Sequence, residues 1–454
     1  MHETLYMIKE YIPSLYKIDE NLSHQESGLS KYNLLDEKNK IIGYLVLTPT
    51  GEIHSYFCSV NINKPIKYAY NKQQMIHLTQ SFLEKFYENI TFKLQSVSEK
   101  FNHYELIYEE IDSKYNLALP GTGLRINISH SGYLLRIERG YDTYIINYPD
   151  KIISLESARS RYLESIDFDL KISKPNSDEP YKLCYRLSEK YSYIQASGED
   201  EIHKSNEQQL ESLEQFETSS KNLIRILGLN EDYKRVAKKS TLNYRIEIWS
   251  QHPKKYLKHL NFNMNEAQPG VIKYKIDKQS DRIIQIRDGE ILDGNNKEIT
   301  KHQAYEKALD FLFTMYSNAE ELFDLIHSEE IIINHDEENK YEPNYSFYFN
   351  RVYDSIEIES QIAYVEIGKF TGIVNNFYAP DVHEKELKHI NVFAKISEPK
   401  ARMLYERELE MKLSFIKKQS ENEDVSYELV YLPIFPDCEK KIQLIDAHNG
   451  FFYD

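Results

Sequence analysis

A charged segment with a histidine at each end, "HEKELKH", is a candidate for metal chemistry at His383 and His389. A zinc-binding helix places its histidines four residues apart, so that both side chains face the same metal ion. The wider spacing here directs the two rings to different faces of a helix. We therefore interpret the segment as a solvated loop or helix, and we predict no metal ligand in the chain.

Two glycine- or acid-containing segments resemble parts of ligand-binding loops. The segment "LPGTGLR" contains Gly121 and Gly123 but lacks the third glycine, the lysine and the following helix of a phosphate-binding loop. We interpret it as a turn before the strand "LRINIS". The segment "DGNNKE" supplies Asp293, Asn295 and Glu298 but lacks the remaining ligands of a calcium loop. It is therefore predicted to be a turn, and no cofactor-binding residue is predicted.

No arrangement of residues typical of a catalytic site stands out. The chain has no Gly-x-Ser-x-Gly elbow. Cys58 and Cys184 lie in alternating, strand-like runs, where a buried cysteine is usually inert. The acidic residues Glu109, Glu110 and Asp112 are adjacent in a predicted strand, so we interpret them as a solvated edge. We predict no catalytic residue and no enzymatic activity.

An enzyme remains the alternative to this view. A hydrolase or peptidase could assemble its site from residues distant in sequence. A cleft that brings His54, His77 or His130 together with carboxylates would favour that alternative.

Length and charge limit the kinds of protein and partner. A chain of 454 residues is too long for one ordinary core and predicts two or more domains. Asp and Glu number 72 against 56 Lys and Arg, a formal charge of −16, which argues against nucleic acid and anionic membranes as partners. The 37 tyrosines suit half-buried strand faces, and a ligand surface made of tyrosine is the sharper alternative.

The composition also favours a cytoplasmic protein. The first residues are charged and do not resemble a secretory signal, and no segment approaches the ~18 apolar residues of a spanning helix, so no membrane insertion is predicted. The cysteines, Cys58, Cys184 and Cys438, fit neither a metal site nor a disulfide framework. A reduced compartment is the simplest explanation.

The second half of the chain predicts hairpins that alternate with single helices. "VIKYKID", from Val271, alternates as a half-buried strand does, and "IIQIR" returns to form a hairpin. A helix follows Thr300, a strand starts near Tyr345, and another helix starts at Ser397 with a proline in its first turn. "YELVYLPIF" and "IQLIDAHNGFF" are predicted to pair as the last strands, with Asn449-Gly450 in the turn that ends the second segment. This pattern predicts an α+β fold in which antiparallel hairpins and sheets pack against single helices.

The same order of elements occurs twice. "YKLCYRLSEKYSYIQASG", from Tyr181, resembles the segment that starts at Tyr427, and "SLESARSRYLES" resembles "SEPKARMLYERELE". We therefore predict tandem duplicated units at residues 1–200 and 219–454, joined by a polar, acidic linker or helix start at residues 201–218. If the units are autonomous, a fragment from about Glu207 onward is expected to fold alone.

Helices, strand pairs and Asp-x-x-x-Gly-like turns such as "DAHNG" and "TPTGEI" resemble the PepSY type of module. Two such units in tandem, with the lead-in "LGLNEDYKRV" from Leu227, resemble the YcdB/YcdC repeated-domain family of Bacillus. The first unit departs from the pattern, because "IQASGED" lacks the Asp before the turn. The resemblance implies an uncharacterised function, with PepSY modules elsewhere associated with peptidase propeptides as inhibitors or accessory binders. No catalytic residue is carried over.

These observations favour a non-enzymatic binding or regulatory protein. Its partner would be a protein or peptide, recognised at a sheet edge or a tyrosine-lined surface. A self-associating structural protein is a further alternative, and long unpaired sheet edges would favour binding or assembly.

Overall fold

The computed structural model describes residues 7–12, 15–20, 28–59, 70–140, 144–176, 178–199, 210–218, 227, 229, 231–252, 260–268, 270–289, 297–326, 343–380, 382–419, 425–436, 438 and 441–453. Two compact units are formed. Unit 1 comprises Met1–Ser165, Tyr191–Ile202 and Glu410–Ile434, and unit 2 comprises Ile166–Lys190, His203–Leu409 and Phe435–Asp454. Each unit therefore draws on segments that are far apart in sequence.

The long helices start where the sequence supplies a cap. Asn71 and Gln74, like Thr300 and Gln303, exchange side-chain and backbone hydrogen bonds as capping boxes, which satisfy amides that a helix start leaves unpaired. The described α-helices are α1 (Lys72–Phe86), α2 (Leu155–Glu164), α3 (Lys301–Met315), α4 (Ala319–Leu322), α5 (Glu384–Leu387) and α6 (Glu398–Glu408), and a 3-10 helix spans Ile8–Tyr11.

Strands account for most of the remaining regular structure. The strands up to α2 are β1 (Lys17–Glu20), β2 (Ser30–Leu35), β3 (Ile41–Leu47), β4 (Ile53–Cys58), β5 (Phe92–Glu99), β6 (His103–Glu110), β7 (Leu124–Ser129), β8 (Leu134–Arg139) and β9 (Ile145–Asn147). Those up to α3 are β10 (Ile166–Ser173), β11 (Lys182–Glu189), β12 (Ile194–Gln195), β13 (Leu210–Ser212), β14 (Lys234–Ser240), β15 (Tyr244–Ser250), β16 (Ile272–Asp277) and β17 (Ile283–Asp288). The last are β18 (Phe323–Ile326), β19 (Asn344–Tyr353), β20 (Ile356–Gly368), β21 (Val374–Tyr378), β22 (Glu410–Gln419), β23 (Val425–Ile434), β24 (Leu444–Asp446) and β25 (Phe452–Tyr453).

Unit 1 contains two sheets. The larger is antiparallel with the strand order β1-β2-β3-β4-β8-β7-β6-β5, and its inner face packs on α1 through residues such as Phe82 and Leu106. The smaller sheet has the order β12-β23-β22, with β9 pairing parallel to β23, and α2 packs against β22 and β23. Apolar residues that alternate along the strands are buried on one face of each sheet, as the period of a strand requires.

Unit 2 is built on one branched sheet. Its main path is β14-β15-β16-β17-β21-β20-β10-β11-β24-β25, and β19, β18 and β13 branch from β20. Helix α3 buries Ala304, Ala308 and Phe311 against this sheet, and the core includes Phe349 and Phe377. Helix α6 contacts β10, where the rings of Phe168 and Tyr405 meet edge to face with their centroids 5.9 Å apart.

Most of the predicted elements are confirmed. The fold is α+β with mostly antiparallel sheets. The hairpin β16–β17, the helix after Thr300 and the helix after Ser397 form at the predicted residues. The turn between β24 and β25 is also confirmed, because Gly450 has φ 77° and its amide donates to the Asp446 carbonyl oxygen.

Three details of the prediction are wrong. The strand "YELVYLPIF" does not pair with the last strand of the chain: β23 pairs with β22, and β24 pairs with β11. Leu210–Ser212 pair with β18 as a short strand, so they are not the first turn of a helix. Lys273 is fully buried although strand alternation places it on the outer face of β16.

The predicted domain boundaries and the compact units are different descriptions of the chain. The predicted linker falls partly outside the described residues, because residues 201–209 are not among them. Unit 2 includes β10 and β11, which precede that linker, and unit 1 includes β22 and β23, which follow it.

Candidate functional site

The acidic residues at the end of β6 are not a solvated edge, contrary to the prediction. Glu110 and Asp112 are both buried in unit 1. Glu110 accepts a hydrogen bond from Tyr144 Oη at 2.7 Å, and its Oε1 lies 3.3 Å from Arg139 Nη2. Asp112 accepts a hydrogen bond from the hydroxyl of Tyr148. Burial is the main cause, and this hydrogen bond the second, of the rise in the pKa of Tyr148 to about 12. Because each carboxylate has its partners, these contacts fix the segment around β9 rather than offer a free acid and base.

His54 and Cys58 share β4, whereas the other candidate cysteines and histidines lie on other elements. Cys58 and Cys184 are free and buried in strands, and burial raises the pKa of the Cys184 thiol to about 12, so a reactive thiolate is disfavoured. His54 lies on β4, and His77 lies on the exposed face of α1. His130 follows β7 and approaches Glu99, with 3.6 Å between Nε2 and Oε1.

The remaining candidate segments are turns or lie outside the described residues. Gly121 and Gly123 adopt φ 77°, which a turn before β7 requires and which favours glycine. His383 is at the N-terminus of the short helix α5, and His389 follows that helix. Asp293 and Asn295 lie outside the described residues, whereas Glu298 is exposed and lies near Lys369.

A row of tyrosines crosses unit 2 on the sheet face that does not pack on α3. Tyr348, Tyr364 and Tyr378 are adjacent in register on β19, β20 and β21, and we call them the tyrosine face. The rings of Tyr364 and Tyr378 stack with their centroids 5.9 Å apart and an angle of 29° between their planes. The ring centroids of Tyr348 and Tyr364 are 6.3 Å apart. Tyr378 remains 38% exposed. Stacked, partly exposed rings offer apolar area together with hydroxyl groups, which is typical of a recognition surface.

An acidic cleft adjoins the tyrosine face. Asn350 and Ile362 pair with each other on β19 and β20, two residues along each strand from the Tyr348–Tyr364 pair and on the same face of the sheet. Both residues line a cleft of about 1100 Å³. Its carboxylates are those of Asp167, Asp169, Glu189, Asp324 and Glu357, and its cations are Lys171 and Lys190. Lys171 pairs with Glu357, Lys190 with Asp167, and Lys441 with Glu189. Asp169 and Asp324 remain as a negative excess, which attracts a positively charged ligand.

The cleft lies where the sheet branches. Asn350 pairs with Ile362 and Val352 with Glu357, so the β19–β20 ladder is interrupted between them, and Ile358 pairs instead with Ile172 of β10. Ser360 in this interval lines the cleft with φ 60°, a left-handed backbone that is costly for a residue other than glycine. Backbone strain of this kind is concentrated at ligand-binding sites, which makes the branch point a candidate site.

A buried amide faces the same cleft. Asn350 is 2% exposed, and its Nδ2 has no hydrogen-bond partner among the described residues. A buried donor without an acceptor costs about 1–3 kcal/mol, and a ligand carbonyl oxygen would supply the acceptor. The cleft and the tyrosine face can therefore offer apolar, acidic and donor groups to one extended ligand.

The composition predicts a tyrosine surface as one alternative, but it does not locate that surface in the fold. Tyr348, Tyr364 and Tyr378 lie far apart in sequence, and the register of three strands brings them together. The alternation of tyrosine within "YSFYFNRVY" and "QIAYVEIG" was the available signal. None of the acidic residues of the cleft was singled out.

The described residues contain neither a cluster of metal-binding side chains nor a membrane-spanning helix. No group of three or more His, Cys, Asp or Glu side chains there could hold a metal ion. Within the same ranges, no helix is both long and apolar enough to cross a membrane.

Comparison with known proteins identifies a repeated domain. Residues 214–381 match the family model described as the YcdB, YcdC repeated domain. The chain is 22% identical to the uncharacterised protein YcdC of Bacillus subtilis (strain 168) over 374 residues, which is 79% of this chain and 77% of YcdC. It is 25% identical to the uncharacterised protein YcdB of the same strain over 152 residues, 34% of this chain and 29% of YcdB. Residues 214–381 thus match the YcdB/YcdC repeated domain, the family that the sequence pattern predicts.

Among solved structures, the C-terminal domain of Bacillus megaterium YpeB is similar with a TM-score of 0.29 and 14% identity. The match covers 41% of this chain and 84% of that domain.

Proposed function

We propose that this protein is a non-enzymatic binding or regulatory protein that recognises an extended, basic segment of a protein or peptide. The ligand would lie along the tyrosine face and enter the acidic cleft of unit 2. The observation that carries the proposal is the buried, unpartnered amide of Asn350 in a cleft with an excess of carboxylates. A cytoplasmic location is part of the proposal and rests on the composition together with the free thiols of Cys58 and Cys184.

Each part of the surface has a task in this proposal. The carboxylates attract lysine or arginine side chains, the tyrosine rings cover apolar or aliphatic portions, and Asn350 donates to a backbone carbonyl oxygen of the ligand. A PepSY-like and peptidase-inhibitor-like role agrees with such recognition but rests on the resemblance of sequence pattern alone.

The test measures binding of short fluorescein-labelled peptides by fluorescence anisotropy. Peptides that alternate valine with lysine, with serine or with glutamate have matched lengths and differ in charge. We expect the lysine peptide to bind, the glutamate peptide not to bind, and salt to weaken the interaction. Tyr378→Ala is expected to weaken binding about five- to thirtyfold, the range for an interface hot spot of roughly 1–2 kcal/mol.

A matched control comes from unit 1. Tyr133 is 39% exposed, close to the exposure of Tyr378, so Tyr133→Ala removes an equally accessible tyrosine away from the tyrosine face. Equal binding of the three peptides, or equal affinity of the Tyr378 and Tyr133 variants, would contradict the proposal.

We also infer that the chain is a duplication of one unit. The order β14-β15-β16-β17-β21-β20-β19-β18 repeats the order β1-β2-β3-β4-β8-β7-β6-β5, with a capped helix, α3 or α1, after the fourth strand of each set. Both helices have 15 residues and both have capping boxes. Identical strand order with an equivalent helix at the same point supports common descent of the two halves.

Equivalent hydrogen bonds support the duplication further. Tyr431 Oη donates to the Ile153 carbonyl oxygen and Tyr185 Oη to that of Ile396, both at 2.7 Å. Tyr185 and Tyr431 occupy the same position in the repeated Tyr-x-Leu-x-Tyr pattern. Each bond joins a strand from one half to a segment from the other half. We therefore infer that the copies exchange the hairpins β10–β11 and β22–β23.

A further inference from the structure

Arg351 is a buried cation without a carboxylate partner. Arg351 lies on β19 and is 6% exposed. Nη1 donates to the Leu322 carbonyl oxygen at 3.0 Å, and the guanidinium lies over the ring of Phe323, 5.1 Å from its centroid. No carboxylate of the described residues forms an ion pair within 4.0 Å of this guanidinium. Burying an unpaired charge is unfavourable, and an anion from outside the chain would offset that cost.

A second guanidinium shares the same cavity. Arg282 lies over the ring of Tyr316, 5.2 Å from its centroid, and both arginines line a cavity of about 400 Å³. Burial above all lowers the pKa of Arg351, and the proximity of Arg282 lowers it further, although Tyr316 and Glu384 act in the opposite direction. Two like charges around one space repel each other unless an anion lies between them.

The charge around the cavity is positive in a protein that is strongly acidic. Lys385 and Lys388 add to the two arginines, and Glu384 is the carboxylate among the lining residues. Lys388 Nζ lies 4.0 Å from Glu384 Oε2, and both side chains are exposed, so this ion pair is weak. Four cations against one carboxylate leave the lining of the cavity positive. The cavity has no lining residue in common with the acidic cleft.

The aromatic wall limits the type of anion. Phe323 and Tyr316 present ring surface beside the guanidinium groups, and Ile284 adds an aliphatic side chain. A planar guanidinium matches the two oxygens of a carboxylate, and the rings match an apolar substituent. We propose that this cavity of unit 2 binds a carboxylate that carries an adjacent apolar or aromatic group, held by Arg351 and Arg282.

Two sources share this chemistry: a small free carboxylic acid, and the C-terminal carboxylate of a peptide that ends in an apolar residue. The proposal does not depend on the function assigned to the tyrosine face, because a different set of residues carries it. Failure of either one leaves the other intact.

Isothermal titration calorimetry on the full chain tests the proposal. The probes are N-acetyl-phenylalanine, its amide, and a short peptide ending in phenylalanine as free acid and as amide. Saturable binding of the peptide acid alone supports the site and identifies a peptide C-terminus as its ligand. Saturable binding of both acids supports the site and shows that a small free carboxylic acid is sufficient. We expect neither amide to bind, because an amide lacks the negative charge.

Variants connect the binding to the cavity. Arg282 is exposed and immediately precedes β17, so we expect Arg282→Gln to preserve the fold and to weaken acid binding at least about tenfold. Arg351→Gln should abolish binding, with circular dichroism to verify the fold. Arg407→Gln replaces an exposed arginine of α6 and should bind like the unaltered protein.

Three results would overturn the proposal: no saturable heat with either acid, unchanged affinity in the Arg282 variant, or inorganic phosphate that competes as well as N-acetyl-phenylalanine. The last result would show that the cavity selects negative charge without regard to the apolar group.

Discussion

Lys273 shows how one loop reverses the expectation from strand alternation. Its ammonium group donates to Asn261 Oδ1 at 2.8 Å and to the carbonyl oxygens of Asn263 and Glu266, both at 2.9 Å. These oxygens belong to the segment at residues 260–268, which covers the outer face of β16 at this point. Burial lowers the pKa of Lys273, but its hydrogen bonds replace those that water would form.

At the residue scale, Lys273→Met is expected to destabilise the protein by roughly 2–4 kcal/mol, because three oxygen acceptors lose their donor while the side chain remains buried. Urea unfolding followed by circular dichroism measures the change. Lys275→Met is the matched control, since Lys275 lies on the same strand, is only half-buried and contacts the ring of Tyr244. A loss for Lys273→Met no larger than for this control would show that the loop does not depend on the ammonium group.

At the scale of elements, each compact unit contains a hairpin from the opposite half of the sequence. Helix α2 packs against β22 and β23, whereas α6 contacts β10 through the Phe168–Tyr405 ring pair and the bond from Arg402 Nη2 to the Ile166 carbonyl oxygen at 3.0 Å. A fragment from Glu207 onward lacks β10 and β11 and leaves the edge of β24 without its partner. The structure thus favours mutual dependence of the halves over autonomous folding of each.

Cleavage in the predicted linker tests this dependence. A protease site inserted between residues 201 and 206 of the full chain is cut after purification. We expect the two pieces to elute together in gel filtration and to melt in one transition, because each unit needs strands from both pieces. Two separately eluting, folded pieces would contradict the hairpin exchange, and the uncut protein with the same insertion is the control.

At the scale of the whole molecule, the 37 tyrosines make stability sensitive to alkali. Burial raises the pKa of Tyr364 and Tyr348 above the ordinary value, and that of Tyr274 rises furthest among these three. A phenol with a raised pKa in the folded state contributes stability that is fully present below pH 10, near the pKa of an exposed tyrosine. That contribution is lost as the pH rises through the folded value.

Ultraviolet titration of the tyrosinate absorbance tests the alkaline prediction. We expect a first group of exposed tyrosines to ionise near pH 10, and the buried group to ionise together with loss of the circular dichroism signal. In urea all tyrosines should titrate near pH 10. A single smooth titration of the native protein near pH 10, with the fold retained, would show that burial does not protect these hydroxyl groups.

The local elements follow from the sequence because their causes are local. Asn71, Thr300 and Ser397 stand at the helix starts, and glycine at positions 372 and 450 supplies the positive φ of two turns. Alternating apolar residues in "YSFYFNRVY" predict a strand, and the buried positions of α3 follow from helical spacing. The resemblance to the YcdB/YcdC repeated domain also follows, since it depends on the order of these elements.

Strand partners and sites depend on contacts between distant residues. Nothing within "YELVYLPIF" distinguishes pairing with β24 from the pairing with β22 that forms, because backbone hydrogen bonds are the same for any partner strand. The burial of Glu110 depends on Arg139 and Tyr144, and that of Lys273 on a separate loop. Composition and periodicity thus determined the elements and the fold class, whereas only the tertiary structure decided which strands pair, which charges are buried and which side chains meet in a cleft.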